Sequence, residues 1–272
     1  MCRNKRMNLR AMFDFHTHIL PEIDDGSRSV VESLAMLNEL TRQGATGIAA
    51  TPHFYANRSS PELFFLRRQA AWEKLQSNLP PDGPEIRLGA EVQYFEGIHR
   101  LQGLERFRLE GTRLLLVEMP LCTWTTRMIS STLEINSREE IIVLLAHIER
   151  YLPYRNSKVM EQLQEHGVLM QASTGFFLEK PYTAMKLLRK GRIQLLGTDS
   201  HNMDQRKPNL AQALEIVNRK KGEYLLQELA NREEVVLNEV ENHRDYLCYS
   251  SCASAGVRDL LSNPEKPAGY DD

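Results

Sequence analysis

The most informative stretch of the sequence is a short apolar run that ends in two histidines, Phe13-Asp14-Phe15-His16-Thr17-His18. Successive side chains of a β-strand point to opposite faces, so His16 and His18 point to the same face. Two imidazoles on one face beside an apolar run are poor core residues, whereas imidazole nitrogens are common metal ligands. The stretch therefore predicts a buried strand that carries a metal-binding pair at its carboxyl end.

Similar apolar runs follow along the chain, at residues 47–50, 86–92, 114–118, 141–146, 168–172 and 193–196. Amphipathic stretches separate them, and two of these have clear start signals. Ser29 and Glu32 predict a capping box, and Ser60 followed by Pro61 predicts a cap with proline at the first helical position. The alternation predicts an α/β fold whose parallel sheet closes into a barrel. An open doubly wound sheet is the alternative, although we find no G-x-G-x-x-G turn or phosphate-binding loop.

The length of 272 residues suits one barrel-type domain or two small domains. The alternating pattern begins at about residue 13 and dissolves at about residue 238. We therefore interpret residues 1–12 as an N-terminal extension, 13–237 as a single barrel domain and 238–272 as a partly disordered C-terminal tail.

Charge and composition exclude some classes of function. The formal net charge of −2 provides no basic field for nucleic acid, and no apolar run reaches the ~20 residues that span a bilayer. The four cysteines form no C-x-x-C pair, which is typical of a protein in a reducing compartment. We expect a cytoplasmic protein that neither binds nucleic acid nor inserts into a membrane, and the oligomeric state stays open.

Residues able to bind a metal recur where the apolar runs end, and the carboxyl ends of barrel strands meet on one face. The candidates at these ends are His16, His18, His53, Glu91, Glu118, His147, Asp199 and His201. Imidazoles and carboxylates without a thiolate suit manganese, iron or zinc at a hydrolytic centre. Because the candidates exceed what one ion can use, the pattern indicates two or three ions that share bridging carboxylates.

Several motifs in a fixed order resemble one known superfamily. They are Asp14-Phe15-His16-Thr17-His18, Ile23-Asp24-Asp25-Gly26-Ser27, Ala50-Thr51-Pro52-His53, Gly89-Ala90-Glu91, Val117-Glu118-Met119-Pro120, His147-Ile148-Glu149-Arg150-Tyr151 and Thr198-Asp199-Ser200-His201-Asn202. Over roughly residues 13–230 the chain is similar to the polymerase and histidinol phosphatase superfamily. Within it, the chain most resembles the manganese-dependent protein-tyrosine phosphatases of bacterial capsular and exopolysaccharide loci.

The resemblance implies a distorted (β/α)7 TIM-like barrel with three divalent ions, most often Mn²⁺, with iron or zinc as alternatives. One ion would be held by His16, His18, Glu91 and Asp199. Glu91 would bridge to a second ion, which also takes Glu118 and His147. The third would be held by Asp25, His53 and His201.

The resemblance also implies a reaction, hydrolysis of phosphotyrosine by attack of a metal-activated hydroxide. Arg150 and Arg206 stand where the family places arginines that contact the phosphate, and a guanidinium fork suits two phosphate oxygens. His201 is the candidate to supply a proton to the leaving group. The implied substrate is a phosphotyrosine-containing protein, namely the tail of a bacterial tyrosine kinase that regulates polysaccharide synthesis.

The chain departs from the family pattern at residues 171–175, where the family often has a more asparagine-rich run. We expect this departure to affect substrate contacts and not the metal ligands. A cysteine-phosphate mechanism is not expected, because four residues separate Cys122 from Arg127 where cysteine-dependent phosphatases have five.

Three other functions stay open. A histidinol-phosphate phosphatase of the same superfamily is disfavoured by Glu118, where such relatives have histidine. A TatD-like nuclease or an amidohydrolase shares the H-x-H opening but does not account for Asp25 and His53. A protein that binds phosphotyrosine without turnover is disfavoured because the ligand set is complete.

Overall fold

Parallel β-strands form the centre of the fold. The computed structural model describes residues 12–81, 83–220 and 222–238. The strands in these ranges are β1 Met12–Thr17, β2 Ala45–Ala50, β3 His53–Phe54, β4 Glu85–Leu88, β5 Glu91–Gln93, β6 Leu114–Glu118, β7 Ile142–Leu145, β8 Leu169–Ser173 and β9 Leu195–Gly197. The predicted run 86–92 is interrupted and forms parts of β4 and β5.

Helices connect the strands and cover the sheet. They are α1 Val30–Arg42, α2 Pro61–Gln76, α3 Thr126–Asn136, α4 Ser157–Glu165, α5 Thr174–Glu179, α6 Pro181–Arg189, α7 Leu210–Arg219 and α8 Glu223–Asn238. Short 3-10 turns occupy Ile98–Arg100, Leu104–Phe107 and Ile148–Tyr154. No helix within the described ranges is both long and apolar enough to cross a bilayer.

The strands pair in two parallel sheets, in the orders β1-β2-β4 and β3-β5-β6-β7-β8-β9. Backbone hydrogen bonds continue between them: the Gly89 amide donates to Ala50 (2.9 Å) and the Glu91 amide to Pro52 (3.0 Å). At the other edge, the amide of His18 donates to the carbonyl of Ser200 (2.9 Å). The result is a curled parallel sheet compatible with a distorted TIM-like barrel, and the predicted α/β class is confirmed.

Apolar residues cover both faces of the strands. Along β6, Leu114 and Leu116 belong to one buried cluster, whereas Leu115 and Val117 belong to a second one. This alternation follows from the two-residue period of a strand. Because both faces are buried, the strands are continuous apolar runs, as expected for a parallel sheet covered by helices.

The start of α1 differs in one detail from its prediction. The Ser29 hydroxyl accepts from the amide of Glu32 (3.2 Å), as an N-cap should. The Glu32 carboxylate, however, accepts from the amide of Arg28 (2.9 Å) and pairs with its guanidinium, so the reciprocal bond of a capping box is replaced. Ser60 caps α2 as predicted, since its hydroxyl accepts from the amide of Leu63 (3.3 Å).

The predicted domain limits, residues 13 and 237, fall at the ends of the described part of the chain. Strand β1 begins at Met12 and α8 ends at Asn238. The expectations for an N-terminal extension and a partly disordered tail concern residues 1–11 and 239–272, which lie outside the described residues.

Candidate metal centre

The carboxyl ends of the strands bring all the predicted ligands into one connected network. Four of them follow directly from strand geometry: His16 lies in β1, Glu118 ends β6, and the pairing of β3 with β5 sets His53 opposite Glu91. The others lie in the loops that follow strands, namely His18 and Asp25 after β1, His147 after β7, and Asp199 and His201 after β9.

Glu91 is the centre of the network and is completely buried. Its Oε2 lies 3.0 Å from His53 Nδ1, 3.1 Å from His16 Nε2 and 3.3 Å from His18 Nε2. Its Oε1 lies 2.9 Å from His147 Nε2. One carboxylate therefore faces four imidazoles, which suits a bridging ligand.

Three more carboxylates surround these imidazoles. Asp199 Oδ1 lies 3.5 Å from His16 Nε2, and Glu118 Oε1 lies 3.4 Å from His147 Nε2. Asp25 Oδ1 lies 3.5 Å from Nε2 of His53 and 3.6 Å from Nε2 of His201.

The donor atoms form groups compact enough to hold metal ions. Within the described residues, three sets have donor atoms that all lie within 4.8 Å of one another: His18 with Asp25, His53 and His201; His16 with His18 and Glu91; and His53 with Glu91 and Glu118. The sets share members, so adjacent ions would share ligands. The sets also differ from the predicted grouping, because His18 joins the Asp25 set and His53 joins the Glu118 set.

The hydrogen bonding of these donors also fits metal ions. Among the described residues, the buried atoms Glu91 Oε2, His53 Nδ1 and His201 Nε2 have no hydrogen-bond partner, although other polar atoms lie nearby. Buried polar atoms without partners are costly and rare in proteins. These donor atoms lie close together without making hydrogen bonds to one another, which is the arrangement of ligand atoms around a metal ion. The residues present therefore fit a metal cluster.

Second contacts of the imidazoles fix which ring nitrogen faces this centre. His18 Nδ1 lies 2.7 Å from Oδ2 of Asp24, and His201 Nδ1 lies 3.0 Å from the carbonyl oxygen of Asp199. An Nδ1–H that donates to such an oxygen leaves the Nε2 lone pair free for a metal. Asp24 also accepts from the amide of His53 (3.0 Å), so it orients two of the candidate ligands.

Gln171 has a similar role, and here the expectation from the sequence was wrong. Its Oε1 accepts from the amide of His147 (2.7 Å) and lies 3.4 Å from Nδ1 of His16. The departure from the family pattern at residues 171–175 therefore contacts two candidate ligands. Sequence reasoning also missed Asp24, although it adjoins Asp25 in a quoted motif. The available signal for Gln171 was a polar residue within the apolar run of β8.

The backbone is unusual at two of the ligands. His147 and Asp199 adopt positive φ angles of 31° and 52°, which residues other than glycine rarely adopt. Such conformations concentrate at functional sites, where the surrounding structure enforces them. Gly197 in β9 has a related role: a Cβ there would lie 2.5 Å from the Cβ of His16. The close approach of β9 to β1, which brings Asp199 beside His16, therefore requires glycine.

Arg150 and Arg206 lie at the rim of the cluster and meet on one carboxylate. The Nη2 atoms of Arg150 and Arg206 donate to Oδ2 of Asp199 at 2.5 and 2.7 Å. Each arginine side chain is 38% exposed, so solvent and a substrate can reach it. Two guanidinium groups beside a metal cluster form a favourable site for a phosphate group.

The electrostatic balance keeps Glu91, at the centre of the cluster, ionised. Burial alone would raise the pKa of Glu91, but the imidazoles of His16, His147 and His18 hold it well below its ordinary value. Burial would likewise lower the pKa of His18, but Asp24, Asp199 and Glu91 raise it well above its ordinary value. The cluster is thus built to balance positive charge in a buried place.

The side chain of Cys122 packs against the apolar core. It lies in the loop between β6 and α3, and Arg127 pairs with Glu96 at 2.5 Å. The two residues thus do not form the phosphate cradle that a cysteine-dependent phosphatase needs.

Fold and site together define a class: metal-binding α/β proteins whose centre lies at the carboxyl edge of a curled parallel sheet. The chain belongs to the CpsB/CapC family of capsular polysaccharide synthesis, whose model matches residues 12–237. The resemblance drawn from the motifs is confirmed.

Two relatives named as tyrosine-protein phosphatases share most of the chain's length. The chain is 30% identical to the tyrosine-protein phosphatase CpsB of Streptococcus pneumoniae over 236 residues, 80% of this chain and 94% of that protein. It is 27% identical to the tyrosine-protein phosphatase YwqE of Bacillus subtilis over 239 residues, 83% of this chain and 91% of that protein.

A solved structure has the same fold. It comes from a study of YwqE from Bacillus subtilis and CpsB from Streptococcus pneumoniae, described as unique metal-dependent tyrosine phosphatases. The TM-score is 0.72 at 24% sequence identity, and the match covers 84% of this chain and 96% of that chain.

Proposed function

We propose that the protein is a metal-dependent protein-tyrosine phosphatase. The observation that carries the proposal is the meeting of Arg150 and Arg206 on Asp199, at the rim of the imidazole and carboxylate cluster. This arrangement provides a cation site and an anion site side by side, which is what hydrolysis of a phosphate monoester needs. The relatives named tyrosine-protein phosphatases support the choice of substrate class.

Three divalent ions, with Mn²⁺ as the first choice, account for the size of the ligand set. The ligands would be His16, His18, Asp25, His53, Glu91, Glu118, His147, Asp199 and His201. When bound, the ions would acidify a water molecule and offset the negative charge of the phosphate. The domain would be a distorted (β/α)7 barrel over residues 13–237, in which β2 with β3, and β4 with β5, each count as one broken strand.

The arginines would bind and orient the phosphate. Both donate to Asp199 through Nη2. Their Nη1 atoms lie 3.7 Å from Oε1 of Glu118 and from Oδ2 of Asp25, beyond hydrogen-bond distance, so they can still donate to phosphate oxygens. Because the same carboxylate holds both guanidinium groups, they are positioned before the substrate arrives. Such preorganised donors stabilise the charge that develops during phosphoryl transfer.

The leaving group of a phosphotyrosine needs little protonation. A phenol has a pKa of about 10, so phenolate leaves with less protonation than an alkoxide requires. His201 is the candidate proton donor named from the sequence. However, its Nδ1 bond to the carbonyl of Asp199 directs the Nε2 lone pair into the cluster, which favours a ligand role. We therefore assign His201 first as a ligand.

The physiological substrate would be a phosphotyrosine-containing protein, namely the tail of a bacterial tyrosine kinase that regulates polysaccharide synthesis. The family's description as a capsular polysaccharide synthesis family supports this choice.

Hydrolysis of p-nitrophenyl phosphate with Mn²⁺, before and after treatment with a chelator, tests the enzyme class. We expect turnover that the chelator abolishes and added Mn²⁺ restores, in the wild type and in Cys122→Ser alike. Turnover that survives chelation but is lost in Cys122→Ser would contradict the proposal. Phosphotyrosyl peptide should then be preferred over histidinol phosphate, and the opposite preference would indicate a small-molecule phosphatase.

A further inference from the structure

A cavity of about 370 Å³ adjoins the candidate metal centre on the side of α2. Asp25 and His53, two of the candidate ligands, form part of its wall. Ile23, Phe54 and Phe64 supply apolar wall surface. A substrate held at the metal centre could therefore extend side chains from its neighbouring residues into this space.

Two arginines, Arg58 and Arg67, line the cavity together with Tyr55. The ring of Tyr55 stacks on His53, with centroids 5.0 Å apart, and the guanidinium of Arg58 lies 4.6 Å above the Tyr55 ring. Arg67 extends from α2 and donates to the carbonyl of Ile23 (2.9 Å). Both arginines are exposed, and both have side-chain N–H groups that can bind a further partner.

Several exposed arginines of the chain are paired with carboxylates. Arg28 pairs with Glu32, Arg42 with Glu39 and Arg127 with Glu96. Arg58 and Arg67 form no salt bridge to a carboxylate within residues 12–81, 83–220 and 222–238.

The carboxylates in the cavity wall are engaged elsewhere. Asp24 bonds to His18, and Asp25 faces the imidazoles of His53 and His201. The positive charge of the two arginines is therefore left for a ligand. The phosphate is served by Arg150 and Arg206, so the ligand at this cavity is a different group.

We propose that this cavity is a specificity subsite that binds an acidic side chain next to the phosphotyrosine of a protein substrate. A guanidinium fork binds a carboxylate in a planar, bidentate manner, which gives selectivity as well as affinity. The apolar wall would hold the methylene groups of that side chain. The proposal rests on the proposed function, because it assumes a phosphotyrosyl segment at the metal centre.

Paired fluorescent peptides test the subsite. One peptide carries Glu at the two positions on each side of phosphotyrosine, and its partner carries Gln at the same positions. We expect the wild type to prefer the acidic peptide about five-fold in kcat/KM, the scale of one or two partly exposed ion pairs. Arg58→Gln should reduce this preference below two-fold, and Arg58→Glu should reverse it in favour of a peptide with Lys at these positions. Arg67→Gln, which keeps an N–H for Ile23, should reduce it to a smaller extent.

Two controls separate the subsite from the chemistry. Turnover of p-nitrophenyl phosphate, which has no flanking residues, should be unchanged in Arg58→Gln. Arg189 lies at the end of α6, is also exposed and also donates to a carbonyl, that of Lys220. Arg189→Gln should therefore keep the preference for the acidic peptide.

The same peptides, measured by fluorescence anisotropy, report binding without turnover. A wild type without any preference, in kcat/KM and in Kd, would overturn the subsite, as would an Arg58→Glu variant that keeps the wild-type preference. If p-nitrophenyl phosphate and both peptides resist hydrolysis while the acidic peptide still binds more tightly, the proposed enzyme activity fails and the subsite stands.

Discussion

Glu91 and Glu233 are both buried, yet their surroundings shift the pKa of the carboxyl group in opposite directions. Glu91 faces four imidazoles at the carboxyl ends of the strands, and its pKa is held well below its ordinary value. Glu233 lies on α8 and reaches the amide of Phe13 at the other end of β1 (3.2 Å). Burial raises the pKa of Glu233 from 4.5 to about 8.

The contrast teaches that burial alone does not mark a functional carboxylate. An isolated carboxyl in an apolar setting keeps its proton because desolvation penalises the charged form. A carboxyl surrounded by imidazoles is ionised and can bind cations. Glu91 therefore belongs to the site, whereas Glu233 joins α8 to β1, and the two glutamates make a matched pair for mutation.

The largest effect is expected for Glu91→Gln. The amide has the same shape but cannot bridge cations, and it also removes the charge that balances four imidazoles. Turnover of p-nitrophenyl phosphate with Mn²⁺ should fall by at least about 10³-fold, the scale of losing a principal catalytic group. Glu233→Gln, the matched control, should stay within about two-fold of the wild type. Comparable losses in both variants would break the distinction between the two buried carboxyls.

Removal of the arginines should have the next largest effect. Arg150→Ala and Arg206→Ala should each lower kcat/KM by about 10²-fold, since each removes charged donors from the developing phosphate charge. Metal content should be retained, because neither side chain offers a lone pair to a cation. Arg206→Lys should retain only part of the wild-type rate, since lysine cannot form the same fork. A variant that loses metal but binds phosphate normally would reassign these arginines to support of Asp199.

Asp24→Asn sharpens the comparison outside the ligand set. The amide can still accept from His18 Nδ1 but no longer strengthens the imidazole as a charged partner does. We expect metal affinity to fall by about 10- to 100-fold, as for other residues that orient metal ligands. Competition with a chromogenic chelator measures this affinity. An unchanged affinity would mean that Asp24 only shapes the loop around Gly26, whose Cβ position would overlap His18.

Much of the site could be read from the sequence because its ligands end apolar runs. His16, His18 and Glu118 lie in such runs, and parallel strands necessarily bring their carboxyl ends together. Asp24 and Gln171 could not be assigned in this way, because their roles depend on which ring nitrogen each histidine presents. The break of residues 86–92 into β4 and β5 also escaped prediction, since an apolar run does not record where backbone pairing passes to a different strand.

Glu233→Gln should have the smallest effect on activity but a measurable effect on stability. The folded protein holds the Glu233 proton up to about pH 8, whereas an unfolded chain releases it near 4.5. The free energy of unfolding of the wild type should therefore fall as pH rises through this window. Between pH 4.5 and pH 7 the free energy of unfolding of the wild type should fall by roughly 3 kcal/mol on account of Glu233, since one pKa unit corresponds to about 1.4 kcal/mol. Glu233→Gln should not show this loss.

Urea unfolding of the wild type and Glu233→Gln across this pH window measures the difference. Taking the difference between the two proteins removes the contributions of all other titrating groups. Curves that stay parallel from pH 4.5 to pH 8 would show that Glu233 is ionised in the folded protein.

The most direct test of the central claim is the amount of metal bound by the two glutamate variants. Wild type, Glu91→Gln and Glu233→Gln would be loaded with Mn²⁺, dialysed together and analysed for metal per protein molecule. Wild type and Glu233→Gln should hold the same amount, and Glu91→Gln should hold clearly less. Equal metal in Glu91→Gln and the wild type would contradict the assignment of Glu91 as the bridging ligand of the site.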